Sequence, residues 1–323
     1  MLYFALLFPL VVVVAMIALA VAKRGPFRAL YISSAAAASA EATNSRVRLR
    51  NVSAIAAALA CATLLTVAGL LGSITTERQE PLDALHLLLL TPILTAVTAV
   101  AFFAFLPAFR EDSASRAADL TERTPLTFSP RSVFVAPVAA AALLAFLIVL
   151  LGAVADPDGR MLSYSPDVAE MGGGGGSFPG FVYGIPLLIG VVLLAGVLIV
   201  ALKRTASAPR PTDTSLREAD STVRLLGIRV VTKTATSALL VTAGSLCILA
   251  GNTAESINRG TSVDGRGNPI PADATMQAIG TLGTIALWLG VALVAAAIAF
   301  VVGAIGDATR KPFEIAPVAE VLA

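Results

Sequence analysis

The sequence predicts an all-α, polytopic bundle that crosses a membrane seven times. Three observations lead there: apolar composition, apolar blocks of helical length, and a lopsided distribution of basic charge. Of 323 residues, 57% are hydrophobic and only 14% are charged, and the mean hydropathy is +0.85. A soluble chain of this length needs a charged surface over every element. Here the apolar residues form uninterrupted blocks, each long enough for a hydrocarbon core that takes about 20 helical residues. The blocks lack the alternation of barrel strands, and only helices or closed barrels satisfy backbone groups in lipid.

The first span is read near 2–22. No basic residue precedes its apolar run, and Lys23-Arg24 follow it directly. That polarity suits an uncleaved anchor better than a signal peptide. Further spans are read near 52–75, 84–107, 133–154, 180–202, 235–251 and 277–304. The sixth is the shortest and most polar, with Thr242, Ser245 and Asn252. Linkers 23–51, 108–132 and 203–234, together with the C-terminal tail, hold 19 of the 23 lysines and arginines. The opposite linkers hold only Arg78, Arg160, Arg259 and Arg266. Acidic residues divide 11 to 10, as expected when Lys and Arg alone carry the orientation signal. The expectation is an N-out, C-in protein of the bacterial cytoplasmic membrane. Because the asymmetry reports topology, it gives no support to nucleic-acid binding.

Landmarks recur in order along the two ends of the chain. Pro9 and Pro186 sit in the opening helices, and Lys-Arg follows at 23–24 and 203–204. Val47-Arg48-Leu49 pairs with Val223-Arg224-Leu225. Leu-Leu-Thr-Val-Ala-Gly-Leu-Leu at 64–71 pairs with Leu-Leu-Val-Thr-Ala-Gly-Ser-Leu at 239–246, and Pro81-Leu82-Asp83-Ala84 with Pro271-Ala272-Asp273-Ala274. This predicts a 3+1+3 plan, with a first half over 1–132, a connector helix and Gly-rich outer loop over 133–179, and a second half over 180–323. Parallel repeats of this kind place a pseudo-twofold axis along the membrane normal and a path between the halves.

Among the linkers, Asp156-Pro157-Asp158-Gly159 reads as an acidic exposed turn, and the five glycines at 172–176 as a flexible loop. Phe178-Pro179-Gly180-Phe181-Val182-Tyr183 reads as an interfacial aromatic anchor. Within 214–234, Leu216, Val223, Leu226 and Val230 predict an amphipathic surface helix.

The inventory of chemical groups excludes more than it offers. No Asp, Glu, Lys or Arg falls in the middle of a predicted span, which disfavours a pump built on a buried carboxylate. His86 is the only histidine, so bis-histidine haem and His-Glu-x-x-His zinc sites are impossible; it reads as an interfacial polar residue. Cys61 and Cys247 read as packing residues. No catalytic, metal-binding or cofactor-binding set emerges, and an enzyme is not expected. The remaining polar features are hydroxyls. Thr91, Thr95 and Thr98 share one face of the third helix beside Pro92, and Thr281 and Thr284 accompany Gly280 and Gly283 in the seventh. These five are candidate lining for a cavity; the alternative is close packing between helices.

Two functional classes follow. One is a transport-related membrane component, either a facilitator or a subunit paired through 203–234 with a separate cytoplasmic ATPase or another membrane subunit. The alternative is a non-transporting scaffold or envelope sensor. The seven-span, 3+1+3 outline resembles the SWEET-type sugar facilitators in topology, without the Pro-Gln pairs of their relatives. The run from Leu126-Thr127-Phe128-Ser129-Pro130-Arg131 through Phe178–Pro186 to Ala219-Asp220 and Val223-Arg224 is similar to uncharacterised actinobacterial multispanning proteins. Some of those are encoded beside GntR-type regulators and ABC ATPases, and the resemblance therefore implies a partner ATPase.

Overall fold

A computed structural model of the chain describes residues 30–32, 37–75, 82–106, 124–164, 174–208, 217–259, 274–309 and 313–315. The span read near 2–22 lies outside the described residues. Seven helices are described: α1 (Ala37–Thr75), α2 (Leu82–Phe105), α3 (Pro125–Phe128), α4 (Ser132–Val154), α5 (Phe181–Ser207), α6 (Arg217–Arg259) and α7 (Ala274–Thr309). Four short strands accompany them: β1 (Leu30–Ile32), β2 (Met161–Tyr164), β3 (Gly174–Ser177) and β4 (Phe313–Ile315).

Six of the helices, all but α3, are long and apolar enough to cross a membrane. Their outward faces are studded with exposed Leu, Val, Ile and Phe, among them Leu64, Val138, Ile189 and Val192. Large apolar side chains spread over every long helix but α6 are what lipid, not water, accepts. The chain is a multi-pass helical membrane protein. Because successive helices run in opposite directions, Arg50, Arg204, Arg224 and Lys233 gather at one end of the bundle, called here the basic end. The β2–β3 hairpin marks the other.

The sixth predicted span is where sequence and structure part. The reading of a short span over 235–251 beside a surface helix is corrected to one continuous helix, α6, of 43 residues. At 1.5 Å per residue it is about 65 Å long, more than the 40–45 Å of a whole bilayer. It is also the central helix: 72% of its apolar stretch is buried, against 28% at most in the others. Its polarity has a physical reason. Thr232, Thr236 and Thr242 are buried and bond back to the carbonyls four residues earlier, which satisfies them without water. Val223 and Leu226 face the bundle and are buried there, not spread on a surface.

Two loop readings also change. The glycine-rich linker carries an antiparallel hairpin in which Met161 pairs with Ser177 and Tyr164 with Gly174. The turn before it stands as read: Gly159 N donates to Asp156 O at 2.7 Å, Gly159 adopts φ +67°, and Asp158 Oδ1 accepts from Arg160 N at 2.9 Å. Glycine is suited to that left-handed position. Of the supposed aromatic anchor only Phe181 is exposed; Phe178 and Tyr183 are buried. Tyr183 stacks on His86, centroids 4.4 Å apart, and His86 Nε2 lies 3.1 Å from Val182 O. The histidine thus joins α2 to α5. At the basic end, β1 pairs in parallel with β4.

The tightest packing is the antiparallel pair α6–α7, the most extensive contact in the bundle. A Cβ on Gly251 would meet Gly283 O at 2.6 Å, and one on Gly244 would meet Gly290 O at 2.7 Å. Glycines therefore face each other across the pair at two levels, seven residues apart on each helix. The same seven-residue step leads to Ser237 and Ala297, both small and buried. A seven-residue repeat keeps one seam facing its partner, and small residues let membrane helices approach backbone to backbone. By contrast α1 packs chiefly on α2 and only brushes α7.

Candidate functional site

The loose meeting of α1 with α7 leaves a cavity of about 300 Å³ between the pairs α1–α2 and α6–α7. Pro92 lies on its wall, inside α2; lacking an N–H, it leaves the carbonyl of Leu88 without its helical donor. Ile55 and Leu59 on α1 and Val301 and Ile305 on α7 line the cavity and are also exposed on the outer face of the bundle. Among the described residues the cavity therefore has an apolar mouth between α1 and α7.

The five threonines do not come together. Thr95 lines the cavity, and its buried Oγ1 has no hydrogen-bond partner. Thr91 bonds back to Leu87 O at 2.7 Å. Thr98 bonds to Leu94 O and also reaches Cys61 Sγ at 3.5 Å, tying α2 to α1. Thr281 and Thr284 are exposed and bond to Gln277 O and Gly280 O. Their position follows from helical geometry: Gly283 faces α6, so residues two before and one after it point elsewhere.

The polar groups that sequence reasoning missed lie at the basic end. Asn51 is buried, lines the cavity, and donates through Nδ2 to Ala308 O at 2.6 Å. That carbonyl is one of the last in α7 and has no partner within the helix. Beside it Lys233 Nζ bonds Asp307 Oδ2 at 2.7 Å and joins α6 to α7. Sequence boundaries at 235 and 304 put this pair outside the spans; the longer helices include it. Arg50, buried at 6% exposure, lays its guanidinium on the Phe103 ring, 3.8 Å from the centroid. Phe103 lines the cavity, while Arg50 lines a separate recess of about 10 Å³ shared with Asp307, room for about one water.

A second ionic clasp closes the basic end away from the cavity. Arg224 Nε bonds both carboxylate oxygens of Asp220 at 2.9 Å. Its Nη1 and Nη2 donate to Thr205 O, Ala206 O and Ala208 O at 2.7–2.8 Å. The guanidinium thereby caps the C-terminus of α5, where orphan carbonyls and the helix dipole favour a cation. Arg48, its counterpart in the Val-Arg-Leu landmark, is exposed instead. A lone Val-Arg-Leu gives no sign of which arginine faces inward. Among the described residues no cluster of three or more metal-ligating side chains occurs.

Compared with protein-family models, curated proteins and solved structures, the chain matches none.

Proposed function

We propose that this protein is a transport-related component of the bacterial cytoplasmic membrane, a facilitator whose path runs between the helix pairs α1–α2 and α6–α7. The observation that carries the reading is the cavity itself, held between two pairs that scarcely touch across α1 and α7. The reading includes the seven-span, N-out and C-in topology and the 3+1+3 plan, in which α1–α2 and α6–α7 are corresponding pairs. Its apolar wall and mouth favour an apolar or amphiphilic cargo over a sugar. Of the two versions of transport, the facilitator is preferred over the ATPase-coupled subunit. The apolar residues of 217–234 that a coupling segment offers a partner, Val223 and Leu226, are already buried within this chain.

The test is reconstitution of the full chain in liposomes carrying an uncharged NBD-labelled amphiphile, with dithionite reporting movement between leaflets. Transport predicts movement above that of protein-free vesicles and its loss in Ala304→Phe, which narrows the cavity. A rate equal to that of empty vesicles overturns the reading and favours a scaffold or envelope sensor. Mass spectrometry of the protein purified in mild detergent tests the partner separately. A stoichiometric ATPase would move the assignment to an energised transporter.

A further inference from the structure

We infer that the recess beside the cavity is a site for one bound water, which joins Arg50 Nε on α1 to Asn51 Oδ1 and to the Asp307 carboxylate on α7, and that this bridge latches the basic end of the cavity shut. The recess lies nearer the basic end than the cavity does. On α1 it is lined by Val47, Arg50 and Asn51, and on α6 between 223 and 230. The cavity is lined from 51 to 59 and from 230 to 241 on the same two helices. Asn51 and Val230 are common to both, so the two spaces adjoin there.

The polar side chains lining the recess are Arg50, Asn51 and Asp307. At about 10 Å³ it takes about one water, and in so small a space every lining residue borders the occupant. Arg50 and Asn51 are each 6% exposed, and Arg50 Nε and Asn51 Oδ1 are buried without a hydrogen-bond partner. These are consecutive residues, about 1.5 Å apart along the helix axis. Asn51 Nδ2 donates to Ala308 O, which places the amide next to Asp307 and leaves Oδ1 as an acceptor; Arg50 Nε can only donate. A buried donor beside a buried acceptor, both unpaired, calls for a partner that does both. Water accepts from Nε and donates one hydrogen to Asn51 Oδ1 and the other to Asp307, within the two to four polar partners a buried water needs.

Charge decides against an ion. An anion would face the oxygens of Asn51 and Asp307. A cation would face Arg50 and Lys233, whose Nζ already bonds Asp307 at 2.7 Å. Arg50 stacks on Phe103 and has no direct ion pair among the described residues. A buried cation without a counter-charge is costly, and a bridging water is nearly as good in enthalpy as a direct bond. Asp307 thus serves Lys233 within the pair α6–α7 and Arg50 across to α1, where the helices otherwise only brush. Together with the bond from Asn51 to Ala308, the bridge closes the basic end and leaves the mouth between α1 and α7 as the opening. The latch belongs to the resting bundle and is independent of the transport reading.

A crystal structure of the full chain, at a resolution that shows ordered water, should place one peak within hydrogen-bond distance of Arg50 Nε, Asn51 Oδ1 and Asp307. No peak there, direct contact of Arg50 with Asp307, or an anomalous peak in crystals grown in bromide would each overturn the inference. The latch is read by a double-mutant cycle of Arg50→Met and Asp307→Asn, followed by unfolding in SDS. Joined through water, the two should be coupled by about tenfold in the unfolding equilibrium constant. Independent effects would mean that Arg50 acts only through its stack on Phe103, and would overturn the latch. Should Asp307→Asn fail to fold, Val47→Ile takes its place. It adds one methylene to the wall of the recess, so it should cost stability while Arg50 needs the water and about tenfold less in the equilibrium constant once Arg50→Met has removed the donor. An equal cost in both backgrounds would overturn the inference.

Discussion

Substituting Gly251 with alanine adds one methyl group at the point where α6 and α7 come closest. That methyl would lie 2.6 Å from Gly283 O, 2.7 Å from Leu287 N and 3.0 Å from Leu287 Cα. Carbon packs best about 3.5–4.0 Å from its neighbours, so α7 must retreat by about 1 Å. Every obstacle is backbone, and no side-chain rotation relieves it. A gap of that size forfeits about a quarter to a half of the attraction in each contact along the seam. Overpacking in a close-packed interior costs about 1–3 kcal/mol, and the upper part of that range applies here. The chain supplies its own control. A Cβ on Gly196 in α5 meets nothing within 4 Å, so Gly196→Ala should be neutral or stabilise by about 0.5–1 kcal/mol through helix propensity alone. The assay is unfolding of both variants in one detergent, followed by circular dichroism through an SDS titration. If the two alanines move the midpoint alike, the close approach of α6 and α7 is wrong.

Three further outcomes follow from named contacts. Arg224→Met leaves Asp220 buried without its cation and should cost about 3–5 kcal/mol in the same assay, whereas adding Asp220→Leu should recover much of the loss. Lys233→Met strands the buried Asp307; with Lys233 itself 31% exposed, the cost should be about 1–3 kcal/mol, recovered in part by Asp307→Leu as measured by a double-mutant cycle. His86→Phe keeps the ring that stacks on Tyr183 and loses the polar contact to Val182 O, so thermal unfolding should report a loss of about 1 kcal/mol; no change would mean that the contact contributes nothing.

How far the sequence led is clearest in α4 and α6. For α4 the apolar run is unbroken and predicted and observed ends agree, 133–154 against Ser132–Val154, because hydropathy measures what lipid demands of a helix facing it. For α6 it measured the wrong environment. A helix surrounded by other helices faces little lipid, so it tolerates Thr232, Lys233, Thr236 and Thr242, and a scan for apolar runs sees only its middle. The glycine seam had a signal that went unused: Gly244 and Gly251, like Gly283 and Gly290, are seven residues apart, the step that returns a residue to one face. For the cavity no comparable signal existed. Thr91, Thr95 and Thr98 have the same chemistry and lie on one face, yet only Thr95 meets the cavity with its hydroxyl unspent.

Six membrane-crossing helices, the approximate ends of α2, α4, α5 and α7 and the gathering of Arg50, Arg204, Arg224 and Lys233 at one end were legible in the sequence alone, because each reflects the local free energy of transferring a segment between water and lipid. Which helix became the centre, which of two Val-Arg-Leu arginines turned inward, and where Asn51 and Thr95 were left facing an apolar space were decided only by tertiary structure. Those outcomes depend on which faces meet across distant segments, and no local run of residues encodes a contact between positions such as 51 and 308.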